Sequence, residues 1–174
     1  MDPDTMGEEK LVVMLGGLHI ELAALKAIGF LLLGSGWTDA VAQAGIPTTG
    51  RAESLATLAD ITRTRYTDQV NASSLHIPQH KAYKKYSKSV EHAPPFPEWC
   101  NHQASEIPQF QFWNMILKFK SLILILVQSF QEQNFRLYTA VLVAVTPWMF
   151  ALDRTNYARW LPVQTDIRRS ETSS

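Results

Sequence analysis

Residues 109–133 read QFQFWNMILKFKSLILILVQSFQEQ, and their pattern of apolar residues predicts the central helix of the fold. Its apolar side chains recur at steps of three and four residues, which is the spacing of an amphipathic helix. They are Phe112, Met115, Ile116, Phe119, Leu122, Ile123 and Leu126. Pro108 comes directly before the stretch, and proline in the first turn is pre-organised for a helix. The pattern predicts a helix over 109–133 that Asn134 ends.

A second apolar segment follows after a short turn. Residues 135–152 predict another helix, bent by Pro147 because proline removes one backbone hydrogen bond and clashes with the preceding turn. Two helices joined in this way are typical of an antiparallel hairpin. The continuous apolar runs are residues 121–127 and 140–152, and both are shorter than the roughly 18–20 residues of a membrane span. We therefore expect no membrane contact.

The N-terminal part of the chain contains the one predicted strand. Residues 11–15 are wholly apolar and include two valines, which indicates a short buried strand. The next apolar residues, over 18–33, follow helical spacing. Gly34-Ser35-Gly36 should end that helix, since glycine is the usual residue at a left-handed helix cap. The patterns together predict a mainly α fold, a helical bundle with one short N-terminal strand.

Proline and polar residues set the predicted boundaries along the chain. A long helix is expected over 51–86, where Pro78 should kink or break it. Three prolines within 93–97 mark a linker between two helical blocks. The successive segments are a flexible N-terminus, a strand with the first helical block, a proline-rich linker with a short helix, a helical hairpin block and a disordered tail. Their limits are residues 1–10, 11–90, 91–107, 108–163 and 164–174.

Charge and cysteine content restrict the kinds of function. The numbers of basic and acidic residues are equal, so the chain has no net charge and lacks the broad positive field of non-specific nucleic-acid binders. Near-zero net charge favours association, and we expect a protein partner or self-association. Cys100 is the single cysteine, which excludes an internal disulfide and a zinc site built from several thiolates. This composition is typical of an intracellular protein, nuclear or cytoplasmic.

A small basic cluster is the candidate nucleic-acid site. It consists of Lys81, Lys84, Lys85 and Lys88, with Tyr83 and Tyr86 interleaved. Lysines contact phosphates and aromatic rings stack on bases, so the cluster has both kinds of group that such a site needs. The alternative is that the lysines complement the dipole at a helix C-terminus on a solvated face.

His19 and Glu21 are the candidate catalytic residues. They follow the predicted strand at the start of the first helix, which is where α/β folds place functional groups. The alternative for His19 is a helix cap or a hydrogen bond to a backbone carbonyl. His76 and His80 are four residues apart, but Pro78 lies between them and no carboxylate or cysteine is near in sequence. We therefore expect no metal site and no cofactor.

A polar and aromatic segment near the C-terminus is the candidate interaction site. Its residues are Asp153, Asn156, Tyr157, Arg159 and Trp160. Arginine, tyrosine and tryptophan dominate the energetic hot spots of protein interfaces. The alternative is that this segment fixes the chain to its own domain.

Several segments resemble a family of uncharacterised animal proteins that occur as multicopy, mobile-element-associated reading frames. The similarity covers roughly residues 10–163, and residues 150–163 are its most specific part. Members of the family look like transposase-derived proteins, so the resemblance implies that origin for this chain. The matching segments are GGLHIE at 16–21, GSGWT at 34–38, ITRTR at 61–65, FRLY at 135–138 and FALDRTNYARWLPV at 150–163.

The resemblance also implies a place for the chain in a larger fold. Residues 15–19 are similar to the strand and histidine-bearing turn near the second acidic position of some RNase H-like transposases, such as the hAT group. On that analogy residues 20–163 would be mostly the helical insertion, and the first and last catalytic carboxylates would belong to segments before and after this chain. The sequence departs from the family pattern at Pro78, at residues 95–97 and after Val163, so it looks like a truncated member.

The residues and the resemblance leave three hypotheses for function. The first is a non-catalytic helical fragment of a transposon-derived protein that acts through protein or nucleic-acid contacts. The second is part of a metal-dependent phosphoryl-transfer enzyme, of the transposase or nuclease type. Two-metal chemistry needs several converging carboxylates, so this chain alone is not expected to be an active enzyme. The third is a helical protein-interaction module.

Overall fold

Helix is the predominant secondary structure in the described part of the chain. The computed structural model describes residues 16–37, 39, 43 and 61–171, with most side chains as far as Val163. Six helices have defined bounds in these ranges and no strand lies in them, which confirms the predicted mainly α class. They are α1 (Gly17–Leu31), α2 (Ile61–Ser89), α3 (Phe96–Glu106), α4 (Pro108–Gln131), α5 (Phe135–Ala151) and α6 (Thr155–Glu171).

Three predictions from the sequence fall outside the described residues. They are the flexible segment 1–10, the strand over 11–15 and the start of the long helix near Arg51. The C-terminal end of that long helix is Ser89 of α2, close to the predicted limit. The strand and the flexible N-terminus stay predictions.

Helix α4 lies at the centre of the bundle, as its apolar spacing predicts. Helices α1, α2, α3 and α5 each pack against it, and α6 packs against α5. Ile116, Phe119 and Leu126 of α4 are fully buried and share one hydrophobic cluster with Ile20 of α1 and Leu142 of α5. The core therefore joins both predicted helical blocks across the proline-rich linker.

Among the described helices, α4 alone has the length and the apolar composition to cross a membrane. The separate apolar runs in the sequence fall below that length, but the helix as a whole reaches it. The core helix of a water-soluble protein meets the same criterion, and nine α4 residues are buried here. The absence of membrane contact therefore stays a prediction.

The turns on either side of α5 have the same backbone conformation. After α4, Gln133 is left-handed with φ 51°, and the Asn134 amide donates to the Ser129 carbonyl at 2.9 Å. Asp153 is likewise left-handed after α5, with φ 54°. This is the arrangement of a Schellman motif, which satisfies carbonyls at a helix end. The Asn134 side chain then accepts from the Leu137 amide at 3.0 Å, so the predicted boundary at Asn134 is confirmed.

Gln133→Gly is expected to raise the free energy of unfolding by about 0.5–1 kcal/mol, because a Cβ is strained in the left-handed region and glycine has none. Gln133 is exposed, so its side chain contributes little packing. Urea unfolding measures the change. Gln111→Gly, at an exposed position inside α4, is the control and should lower the same free energy by about 1 kcal/mol. Equal losses in both variants would contradict the assignment of strain to Gln133.

Prolines inside the helices do not interrupt them. Pro78 was expected to kink or break the helix, but α2 continues through it to Ser89, so the break does not occur. Pro78 and Ser74 are both exposed, and water can therefore hydrate the Ser74 carbonyl that loses its amide partner. Helix α5 likewise extends on both sides of Pro147, as predicted.

The C-terminal segment is helical further than its composition suggests. The sequence predicts a disordered tail from residue 164, but α6 continues to Glu171, so this prediction is wrong over 164–171. Polar composition indicates exposure to water rather than loss of helix, and glutamine, arginine and glutamate are good helix formers. Because Leu161 is fully buried, the packed part of α6 can nucleate the turns that follow it.

Candidate functional site

Glu21 is not free at the start of α1. The Arg65 guanidinium of α2 donates to both carboxylate oxygens, from Nε to Oε1 at 2.7 Å and from Nη2 to Oε2 at 2.8 Å. The Glu21 side chain is fully buried, whereas 30% of the Arg65 side chain is exposed. A pair with two parallel hydrogen bonds is the strong geometry for arginine and carboxylate. Glu21 therefore ties α1 to α2 and has both oxygens occupied.

The structure does not bring His19 and Glu21 together as a catalytic pair. His19 is exposed, and residues two apart on a helix do not face each other. The hydrogen bonds to Glu21 raise the pKa of the Arg65 guanidinium, while partial burial opposes them and the Glu21 charge adds to them. Arg65 therefore stays a cation, and Glu21 serves as its buried counter-ion.

Four lysines form an exposed row on the C-terminal half of α2, called the lysine stripe from here on. They are Lys81, Lys84, Lys85 and Lys88, and all four are exposed. Their spacing places them within about 100° of arc around the helix axis. The ion pairs in the described part of the chain are Arg65–Glu21 and Lys120–Asp68, so no lysine of the stripe has an acidic partner there. The sequence from 69 to 90 also contains no Asp or Glu.

An aromatic cluster holds the opposite face of this helix against α3. The rings of Tyr83 and Tyr86 lie 5.6 and 6.1 Å from that of Trp99, between centroids. Tyr83 also contacts Phe96 at 5.2 Å, and its hydroxyl donates to the Pro94 carbonyl at 2.8 Å. The two tyrosines are engaged within the fold and are not free to stack on bases. Their contacts instead hold the lysine stripe in position.

His76 and His80 lie side by side although Pro78 separates them in sequence. Their rings stack with centroids 5.7 Å apart, and each packs edge-to-face with Phe96. No group of three or more histidine, cysteine or acidic side chains is placed to hold a metal ion within the described ranges. The two histidines extend the aromatic cluster between α2 and α3.

The candidate interaction residues lie on two faces of α6, except Asp153, which is in the turn before that helix. Tyr157 packs partly buried against the hydrophobic core, in the same direction as the buried Leu161 one turn later. The remaining candidates are exposed, namely Asp153, Asn156, Arg159 and Trp160. Trp160 is the large hydrophobic residue among them, with 54% of its surface exposed. One face of the segment thus fixes α6 to the bundle, and the other meets solvent.

Sequence reasoning missed a buried ion pair between α2 and α4. The Lys120 ammonium donates to Asp68 Oδ1, and its side chain is only 2% exposed. Thr64 and Asn71 lie one turn to either side of Asp68 and are buried too. Asp68 Oδ2, Thr64 Oγ1 and Asn71 Oδ1 have no hydrogen-bond partner in the described part of the chain. The signal available in the sequence was the spacing of these three polar residues. They are four and three positions apart, which places them on one face of a helix.

An open cavity lined by α2, α3, α4 and α5 is the second feature that the sequence did not indicate. Its volume is about 880 Å³. Cys100 of α3 lies in its wall, where burial raises the pKa of the thiol and the charge of Lys118 acts in the opposite direction. A thiol with a raised pKa is a poor nucleophile at neutral pH. Cys100 therefore behaves as an apolar wall residue.

Comparisons with known proteins found no match, so the geometry of these sites is the basis for assigning them a function. No protein-family model, curated protein or solved structure matches this chain.

Proposed function

We propose that this chain is a non-catalytic helical part of a transposon-derived protein and that it binds the phosphate backbone of nucleic acid through the lysine stripe. The transposon origin is supported by the resemblance of the segments quoted above. The nucleic-acid role is supported by one observation, four exposed lysines on one helix face with no acidic partner in the described residues. A nuclear location accompanies that role.

The lysine stripe has the size and charge to contact several phosphates. Lys81 and Lys88 are seven residues apart, which corresponds to about 10 Å along a helix. Duplex DNA carries one negative charge per roughly 1.7 Å of its axis, so several phosphates lie within that length. Lysine binds phosphate as a flexible point charge, and contacts to phosphates do not depend on base sequence. We therefore expect binding without sequence preference.

The salt dependence of this binding follows from the number of lysines. The whole chain has no net charge, so the attraction must come from the local field of the stripe. Four phosphate contacts predict a slope of about −3.6 for the logarithm of the binding constant against that of the salt concentration. This slope corresponds to about 150-fold weaker binding at about 200 mM salt than at about 50 mM.

Lys84→Glu/Lys85→Glu is expected to remove most of the binding. The double variant loses two of the four cations and places two anions against the phosphates, so the slope should shrink to about −1.8 or less in magnitude. Fluorescence anisotropy of a labelled DNA duplex of random sequence, titrated with the full chain at several salt concentrations, measures both the affinity and the slope.

Arg136→Glu/Arg159→Glu is the matched control. It makes the same change in net charge at two exposed arginines of α5 and α6, which are not part of the stripe, so the slope should remain that of the wild type. Equal losses in the two double variants would show that net charge, rather than the stripe, governs binding. Unchanged binding in Lys84→Glu/Lys85→Glu, or no binding by the wild type at low salt, would rule the proposal out.

A protein-interaction role is the second candidate, and the exposure of Trp160 favours it. Trp160 and Arg159 are exposed neighbours of the two residue types most enriched in interface hot spots. Association through such a face should persist at high salt, whereas binding through the lysine stripe should not. Sedimentation of the chain at low and high salt separates the two roles.

The phosphoryl-transfer hypothesis receives no support from its two candidate residues. Both oxygens of Glu21 accept hydrogen bonds from Arg65, so Glu21 offers no free ligand to a metal ion. That hypothesis now depends on carboxylates outside this chain, which the resemblance to RNase H-like transposases implies.

A further inference from the structure

We propose that the cavity between α2, α3, α4 and α5 binds a neutral, mainly apolar small molecule that carries an amide-like hydrogen-bonding group. Its volume of about 880 Å³ lies within the roughly 300–1,000 Å³ of small-molecule sites. Wall residues from the four helices include Gln79, Phe96, Cys100, Asn114 and Trp148. No lysine of the stripe lines this cavity, so the proposal is independent of nucleic-acid binding.

Two buried side-chain amides in the wall carry this inference. Gln79 of α2 is 8% exposed and Asn114 of α4 is 5% exposed. Neither amide has a hydrogen-bond partner among the described residues. Each amide offers a donor and an acceptor to a molecule in the cavity. A ligand with its own donor and acceptor, such as a lactam or a carboxamide, would satisfy them.

The rest of the wall defines the body of the ligand. Phe96 and Trp148 contribute aromatic surface, and Trp148 is itself supported by a parallel stack on Phe119 with centroids 4.8 Å apart. Lys118 is the charged side chain of the wall, but it is exposed and donates to Asn101 Oδ1 at 3.1 Å. An ionised ligand would therefore gain no buried counter-ion, which favours a neutral one.

Cys100 provides a direct readout of occupancy. It is 4% exposed and is the single cysteine of the chain. Because burial raises the pKa of its thiol, alkylation of Cys100 should be slow. A molecule in the cavity should slow that reaction further, since the alkylating reagent must enter the same space.

Phenanthridinone and phenanthrene are a matched pair of probes for this site. Both are neutral three-ring molecules of nearly equal size, and only phenanthridinone has a lactam, so phenanthrene corrects for the apolar part of binding. The full chain should bind phenanthridinone saturably, as measured by its fluorescence. Saturation should also slow the alkylation of Cys100 by iodoacetamide.

Gln79→Leu and Asn114→Leu test the role of the two amides. Leucine has a similar volume and no hydrogen-bonding group. Each variant should bind phenanthridinone about tenfold more weakly, the equivalent of one hydrogen bond, and should bind phenanthrene within about twofold of the wild type. Their thermal unfolding temperatures should not fall, because neither change breaks a hydrogen bond to another described residue.

Ala144→Phe tests the location of the site. Ala144 is exposed on α5 and lies in the cavity wall, so the larger side chain should exclude both probes without entering the core. Ala140→Phe, exposed one turn earlier and outside the wall, should not affect binding. If Ala144→Phe does not fold, the protection of Cys100 in the wild type decides. The proposal is overturned if neither probe saturates, if the leucine variants weaken both probes equally, or if saturating phenanthridinone leaves Cys100 alkylation unchanged.

Discussion

Arg65→Ala is expected to lower the free energy of unfolding by about 3–5 kcal/mol. The change leaves the Glu21 carboxylate fully buried between α1 and α2 without either of its two hydrogen-bond donors. A buried charge that has lost its partner keeps the whole cost of its desolvation. Arg65 is 30% exposed, so the reverse change, Glu21→Ala, leaves a cation that water reaches and should be less destabilising. Urea unfolding measures both variants.

Arg136→Ala is the control for Arg65→Ala. Arg136 is exposed on α5, so its loss should change the free energy of unfolding by less than about 0.5 kcal/mol. Adding Glu21→Gln to Arg65→Ala should restore part of the lost stability, because the amide is neutral and needs no counter-ion. A loss of under about 1 kcal/mol for Arg65→Ala would mean that Glu21 reaches water in solution. Glu21 would then again be a candidate metal ligand.

Helices with an apolar buried face were predictable from the sequence. Helices α4 and α5 were expected over 109–133 and 135–152, and they extend over Pro108–Gln131 and Phe135–Ala151. The agreement has a simple cause. Large apolar residues at three- and four-residue steps report directly which side of a helix leaves water, whatever that side packs against.

The buried face of α2 could not be recognised in this way. It includes the polar residues Thr64, Asp68, Asn71 and Gln79, and a polar residue predicts exposure unless its partner is known. The partner of Asp68 is Lys120, 52 residues further along and in the middle of the most apolar helix. A single sequence does not say which lysine reaches which aspartate. The amides of the cavity escape notice for the same reason.

The lysine stripe was predictable from the spacing of its residues. The position of the two neighbouring tyrosines on another side of the helix was predictable in the same way. Helical geometry puts Tyr83 and Tyr86 about 140–200° around the axis from Lys81, on the side away from the stripe. The expectation that the two tyrosines and the lysines bind the same nucleic acid did not take that angle into account. Their contact with Trp99 could not be inferred, because it crosses the proline-rich linker and depends on how α3 folds back on α2.

Asp68→Ala is expected to have the other large effect, a loss of about 3–5 kcal/mol in the free energy of unfolding. Lys120 is 2% exposed at the centre of the bundle, so its ammonium cannot turn to water when Asp68 is removed. The chain must then hold an unpaired cation in its core, or α2 must move away from α4 to hydrate it. Glu132→Ala removes an exposed carboxylate and should change stability by less than about 0.5 kcal/mol.

Asp68→Leu/Lys120→Met separates the strength of this pair from its role in positioning. Apolar residues of similar volume remove both desolvation costs, so the double variant should be as stable as the wild type or up to about 4 kcal/mol more stable. The orphaned Asp68 Oδ2 favours that result, since one carboxylate oxygen gains nothing even in the native pair. An unfolding energy as low as that of Asp68→Ala would contradict it. Preserved stability with a shifted Trp99 indole signal in an NMR spectrum would show that the pair sets where α2 packs against α4. Helix α2 has little apolar surface to fix that position by itself.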